Sequence, residues 1–335
     1  MKSFKLLFFA SLIMGLLITI SSNSWMSMWI GLEVNLLSII PLLSTNKQNN
    51  SAEATIKYFI TQVMASSILL LSIILMININ DQNFSHQSNL MMITQSALFI
   101  KMGAAPFHAW FPEVMEGLTW MNCMIMLTVQ KIAPMIVLLN IITPSYMIFL
   151  VIIISLVVGG LFGINQVSLR KIMAYSSINH IGWMITAMMS LKSLWIIYFF
   201  IYSGITTNII IILNSGNLSK ISQIPLIFKT SKINSLFFSM NFLSLGGLPP
   251  FLGFLPKWLT IQQLIFSSQW VLTAMMVILT LITLYFYLRM SFSSMMMSMD
   301  SSLSKNFTKI KPMIFIINLW SLLGLAGCSL LPNPL

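Results

Sequence analysis

The chain has 335 residues, 57% of them hydrophobic, with a mean hydropathy of +0.91 and only 7% charged residues. An average soluble domain carries about 25% charged residues, so this composition excludes a soluble fold and places nearly the whole chain in hydrocarbon. The net charge of +11 does not point to nucleic acid, because basic residues flank membrane spans on the side that is not translocated.

In chain order, Lys2 to Ile20 has the basic start and apolar run of a signal peptide. It is followed by SSNSW rather than a small-x-small site, and then by another span, so retention is expected. A span needs about 20 apolar residues. Eleven segments qualify, near 4–22, 25–43, 55–77, 90–110, 119–142, 146–164, 171–190, 194–214, 234–266, 270–290 and 312–331. The fourth and ninth are irregular. Connections are short and polar, such as STNKQNN at 44–50 and NINDQNFSHQSN at 78–89. The expected fold is therefore an all-α polytopic membrane protein, with 1–335 as a single transmembrane domain.

Charge placement tests that count. Eleven spans put Lys2, Lys5, Lys47, Lys57, Arg170, Lys171, Lys220, Lys229, Lys232, Arg289, Lys305, Lys309 and Lys311 on the side of the N-terminus, and only Lys192 opposite. Such a bias places the N-terminus in the cytoplasm or mitochondrial matrix and the C-terminus across the membrane.

Four ionisable residues remain inside spans: Glu33, Lys101, Lys131 and Lys257. Lys131 lies about 12 residues, or roughly 18 Å, from either end of its segment, too far to reach water. A central charge costs roughly 2.5–3.5 kcal/mol, and Glu33 cannot neutralise three lysines. A buried lysine can exist as the neutral amine, and a group poised between the two states carries protons. The alternative for each residue alone is a structural buried charge paired with a neighbour.

Lys101 belongs to KMGAAPFHAWFPEVMEG at 101–117, where Pro106 and Pro112 interrupt a helix. The stretch has a relative. PFHAWFP at 106–112 and PFLGFLP at 250–256 both fit P-F-x-x-aromatic-x-P, and both follow small residues. Glu113 follows the first copy and Lys257 the second. The copies lie five spans apart, which inverts their orientation. That predicts two inverted five-helix repeats, about 4–142 and 146–290, with broken helices at Pro106 and at Pro249 and Pro250, and an extra helix at 312–331.

Glu33 has Asn35 nearby, and polar groups recur in other spans, including Gln62, Gln95, Gln130, Ser176, Ser177, Asn179, Thr206, Thr207 and Asn208. They suit ordered water or interhelical hydrogen bonds. His108 and His180 titrate near neutral pH and are candidate relay groups, with a structural role the alternative. Cys123 and Cys328 make no disulfide framework, metal pattern or iron–sulfur site. No G-x-G-x-x-G follows a strand. No cofactor or metal is expected in this chain, so redox chemistry would belong to a partner.

KMGAAPFHAWFPEVMEG, VQKIAP at 129–134, RKIMAYSSINHIGW at 170–183 and GGLPPFLGFLPKW at 246–258 together resemble the antiporter-like membrane-arm subunits of mitochondrial NADH:ubiquinone oxidoreductase, respiratory complex I. The abundance of Met, Ile, Ser and Asn suits an insect-type chain. The resemblance runs from about Asn23 to near the C-terminus; earlier, little beyond hydrophobicity matches. It implies a proton-translocating module in the mitochondrial inner membrane, part of an H+-translocating NADH:ubiquinone reductase. FMN, iron–sulfur clusters and ubiquinone would be held elsewhere in the complex. The expected partners are other membrane-arm subunits, with a lipid such as cardiolipin a candidate. It assigns Glu33 and Lys101 to a charge pair, Lys131 to the central lysine and Lys257 to the second broken helix. Bacterial members have fourteen helices and animal forms lack the first three, which agrees with eleven. Two other readings stay open: a stand-alone cation/proton antiporter subunit, and a scaffold that only holds its neighbours.

Overall fold

The computed structural model describes residues 2–44, 49–78, 84–225, 232–249 and 251–295. The span expected at 312–331, together with Cys328 and Pro250, lies outside the described residues. The chain separates into two compact units, Met1–Val151 and Ile152–Leu335.

The described residues are helical, with one isolated antiparallel bridge between Ser168 and Lys220. The first unit holds α1 (Lys2–Ser21), α2 (Trp25–Leu43), α3 (Asn49–Asn78), α4 (Phe84–Met102), α5 (Trp110–Gly117), α6 (Trp120–Leu127) and α7 (Val129–Ile141). Helix α8 (Tyr146–Ile164) runs across the division between the units. The second unit continues with α9 (Leu169–Ser190), α10 (Lys192–Ser215), α11 (Lys232–Gly246), α12 (Phe254–Phe266) and α13 (Trp270–Met295).

Among the described residues, seven stretches are long and apolar enough to cross a membrane: Phe4–Ser21, Trp25–Leu43, Asn50–Ile77, Trp120–Ile141, Tyr146–Ile164, Lys192–Ser215 and Trp270–Met295. These correspond to seven of the expected segments. The other three within the described residues carry the polar chemistry. Helix α9 is long enough but holds Ser176, Ser177, Asn179 and His180, all buried. The fourth and ninth segments are each divided into two helices, α4 with α5 and α11 with α12.

The physical cause of both divisions is the same. Gly103 has φ +72° and Gly247 φ +74°, a left-handed conformation that only glycine adopts without strain. At the first, Gly103 N–H donates to Ile100 O at 3.1 Å and Ala104 N–H to Phe99 O at 3.0 Å. At the second, Gly247 N–H donates to Ser244 O at 3.0 Å and Leu248 N–H to Leu243 O at 3.3 Å. Both are Schellman caps, which satisfy orphan carbonyls at a helix end. The prolines then prevent immediate resumption of the helix.

In the first unit, α1 and α2 meet through small residues. A Cβ added to Gly31 would lie 2.8 Å from Thr19 N and 3.0 Å from Gly15 O, and one on Gly15 would lie 2.9 Å from Asn35 N. This contact backs the Asn35 turn of α2. Gly31→Leu would force the two backbones apart at a cost of about 1–3 kcal/mol. A lowered thermal midpoint of the purified protein is the expected readout.

Candidate functional site

The first unit brings Lys101 and the neighbourhood of Lys131 to one place. Lys101 lies in the last turn of α4, one residue before the Schellman cap, and is only 8% exposed. Gln62 Nε2 on α3 donates to its backbone carbonyl at 3.4 Å, and Trp110 Nε1 on α5 donates to Ile100 O at 3.2 Å. Both bonds hold the broken end in register. Glu33, which the resemblance pairs with Lys101, lies on α2 and is half-buried. Among the described residues, however, no ion pair within 4.0 Å joins the two side chains.

Lys131 is buried to 2% exposure, with its Nζ 5.5 Å from the centre of the Phe111 ring. The face of an aromatic ring attracts a cation. The sequence suggested an unbroken span around this lysine. Instead the helix is interrupted at Thr128 (φ −115°, ψ −76°), and α7 begins at Val129. Thr128 Oγ1 donates to Met124 O at 2.7 Å, a side-chain bond that competes with the helical ladder. Pro134 follows and has no N–H to offer the carbonyl of Gln130. Lys131 therefore sits at the start of a helix, between two disruptions of its backbone ladder.

A cavity of about 20 Å³ lies beside Lys101, lined by Leu32, Asn35, Tyr58, Gln62, Gln130 and Pro134 among others. That is room for a single water molecule. Gln130 Nε2 donates to Asn35 Oδ1 at 2.8 Å, and Tyr58 O–H donates to Gln130 Oε1 at 3.3 Å. These two bonds connect α2, α3 and α7. Sequence reasoning named Asn35, Gln62 and Gln130 but missed Tyr58, which reads as an ordinary core aromatic.

His108 is half-buried in the break, where its Nδ1 meets Pro106 O at 3.2 Å. Glu113 points away from the buried lysines. It pairs with Lys57 at 2.8 Å, and Lys57 also meets Glu53 at 2.9 Å, all exposed.

In the second unit, Lys257 is 6% exposed and lies in the first turn of α12. Its Nζ donates to Gly246 O at 2.9 Å and Leu245 O at 3.3 Å, so the amine caps the carbonyl end of α11. A cation there is favoured by the helix dipole. The ammonium also lies 5.7 Å from the Trp183 ring. Pro249 lies in the turn between the two helices. His180 on α9, three residues before Trp183, is buried, with Nδ1 2.9 Å from Tyr198 O–H and its ring 5.1 Å from that of Tyr202. These tyrosines were invisible to motif reasoning, since nothing in the sequence ties 198 and 202 to 180.

Apolar helices interrupted at glycine caps, with amines enclosed at or near the interruptions, define a polytopic membrane protein of the broken-helix kind. Residues 22–283 match the family described as "NADH:quinone oxidoreductase/Mrp antiporter, TM", and the chain belongs to that family. It is 48% identical over 332 residues to NADH-ubiquinone oxidoreductase chain 2 of Anopheles gambiae, covering 97% of each chain. It is 44% identical over 329 residues to the protein of that name from Locusta migratoria, covering 97% of this chain and 95% of the relative. Among solved structures it resembles a chain of respiratory complex I from Thermus thermophilus, with TM-score 0.87 and 23% identity, covering 97% of this chain and 78% of that one. A chain of the Mrp complex from a Dietzia species gives TM-score 0.82 and 14% identity, covering 96% and 72%.

Proposed function

We propose that this chain is a core membrane-arm subunit of NADH:ubiquinone oxidoreductase in the mitochondrial inner membrane, and that it translocates protons through Glu33, Lys101, Lys131 and Lys257. The observation that carries the reading is the 48% identity over 97% of both chains to a relative named as chain 2 of that enzyme. Three lysines enclosed within apolar helices supply the chemistry. Electrons from NADH pass through FMN, iron–sulfur clusters and ubiquinone in partner subunits, and this chain binds none of these.

Ubiquinone reduction in a neighbour alters the charge or water access beside this chain. A shift in the separation of Glu33 and Lys101 changes how firmly the amine holds its proton. The proton passes by way of Lys131 towards Lys257, with His108 and His180 as further relay groups. Moving one charge against the potential costs about 2.3 kcal/mol per 100 mV. A hundredfold change in proton affinity is worth about 2.7 kcal/mol, so the scale is sufficient. Eleven spans in two inverted repeats would set the path, with the N-terminus in the matrix and the C-terminus in the intermembrane space. The repeat is supported by identical capping at Gly103 and Gly247 and by α5 and α12 starting at matching places in the two motifs. Other membrane-arm subunits flank the chain, and cardiolipin is a candidate lipid at its surface.

Lys131→Ala in the assembled complex tests the proposal. Loss of NADH-driven proton uptake with assembly intact is expected. Fewer assembled complexes, each pumping at the parental ratio, would instead identify a scaffold, and salt-driven proton exchange by the chain without NADH would identify an antiporter.

A further inference from the structure

The Asn35–Gln130–Tyr58 chain of hydrogen bonds borders the cavity beside Lys101. Lys101 is more than nine-tenths buried, and its Nζ has no hydrogen-bond or ion-pair partner among the described residues. An ammonium has three donors, and leaving them unmet in a buried place is costly. The adjoining space holds one water, and a buried water needs two to four polar partners. Lys101, Tyr58, Gln62, Gln130 and Asn35 all border it. The Gln130 carbonyl is deprived of its helical donor by Pro134, another residue of the same wall.

A carboxamide is a poor proton carrier, because it neither gains nor loses a proton readily near neutral pH. Gln130 Nε2 and Oε1 are moreover committed to Asn35 and Tyr58. Successive helical residues point about 100° apart. Gln130 thus faces the cavity of Lys101 while the next residue, Lys131, faces Phe111.

We propose that Gln130 is a positioning residue: clamped by Asn35 and Tyr58, it holds one ordered water against Lys101 at the entrance to the Lys131 site. This inference rests on the relay reading above. The clamp ties together three helices, so a shift of α2, α3 or α7 moves the water out of line. The bond from Tyr58, at 3.3 Å, is the longer of the two and is the one to open first.

The test uses the assembled complex in sealed membranes. Gln130→Leu keeps the volume and removes both bonds. Its coupled rate per assembled complex should fall by about ten- to a hundredfold, up to the scale of a 1 Å misplacement, with an enlarged solvent deuterium effect. A purely structural clamp would lower thermal stability and leave the rate and isotope effect of assembled Gln130→Leu unchanged, which overturns the proposal. If that variant does not assemble, Tyr58→Phe removes one hydroxyl only, and the same two outcomes decide. A density map of the parent complex separates the two readings. A dry cavity sinks the water site whatever the pumping result. An occupied cavity in a complex that pumps with Lys131→Ala sinks the relay and keeps the site.

Discussion

Lys131→Met is expected to abolish NADH-driven proton uptake while leaving the protein folded and assembled. Methionine matches the length of the lysine stem and packs in irregular apolar space. It can therefore occupy the place beside Phe111 without leaving a void. Replacing a buried charged group by an apolar residue of similar volume is commonly neutral or stabilising, so the thermal midpoint should hold or rise. What is lost is the only atom of the side chain that can carry a proton. A positioned acid or base contributes about 10²–10⁴-fold to a transfer step, and the coupled rate should fall on that scale. Proton uptake per NADH oxidised, measured in closed vesicles beside a thermal melt, gives both numbers. A variant that melts as expected and still pumps at the parental ratio would remove Lys131 from the path.

Gly247→Ala should also have a large effect, by a different route. The φ of +74° costs a residue with a Cβ about 1–2 kcal/mol. The new methyl would also lie 2.7 Å from Lys257 Cδ and 3.0 Å from its Nζ, so the amine must leave the Gly246 carbonyl. Coupled turnover should drop by about ten- to a hundredfold from that displacement. A double-mutant cycle with Lys257→Met separates displacement from backbone strain. If the glycine acts by making room for the amine, adding Gly247→Ala to Lys257→Met should reduce the rate little further, because neighbours acting through one contact are not additive. Additive losses would mean that the glycine matters only for the backbone turn.

Gly103 and Gly247 illustrate how far the chain could be read by eye. The motif P-F-x-x-aromatic-x-P pointed to both interruptions, and each is found where glycine precedes it. The interruption at Thr128 has no signal in the sequence, because threonine is common in helices and its bond to Met124 O leaves no mark in hydropathy. The cap formed by Lys257 was equally hidden. From the sequence it is a lysine after a proline, whereas in the fold its partners are eleven and twelve residues earlier. Glu113, in the matching place of the first motif, turns outward to Lys57 instead.

Hydropathy and charge are properties summed along the chain. The order of residues alone therefore determined the membrane class, the placement of the apolar helices, the breaks near Pro106 and Pro249, and the identity of the enclosed lysines. Tertiary structure alone decided which groups those lysines meet. Asn35, Tyr58 and Gln130 converge because α2, α3 and α7 pack together, and Phe111 reaches Lys131 because the glycine cap redirects the backbone. Contacts between residues distant in sequence depend on how helix faces are turned and how closely they approach, and neither quantity is carried by local composition.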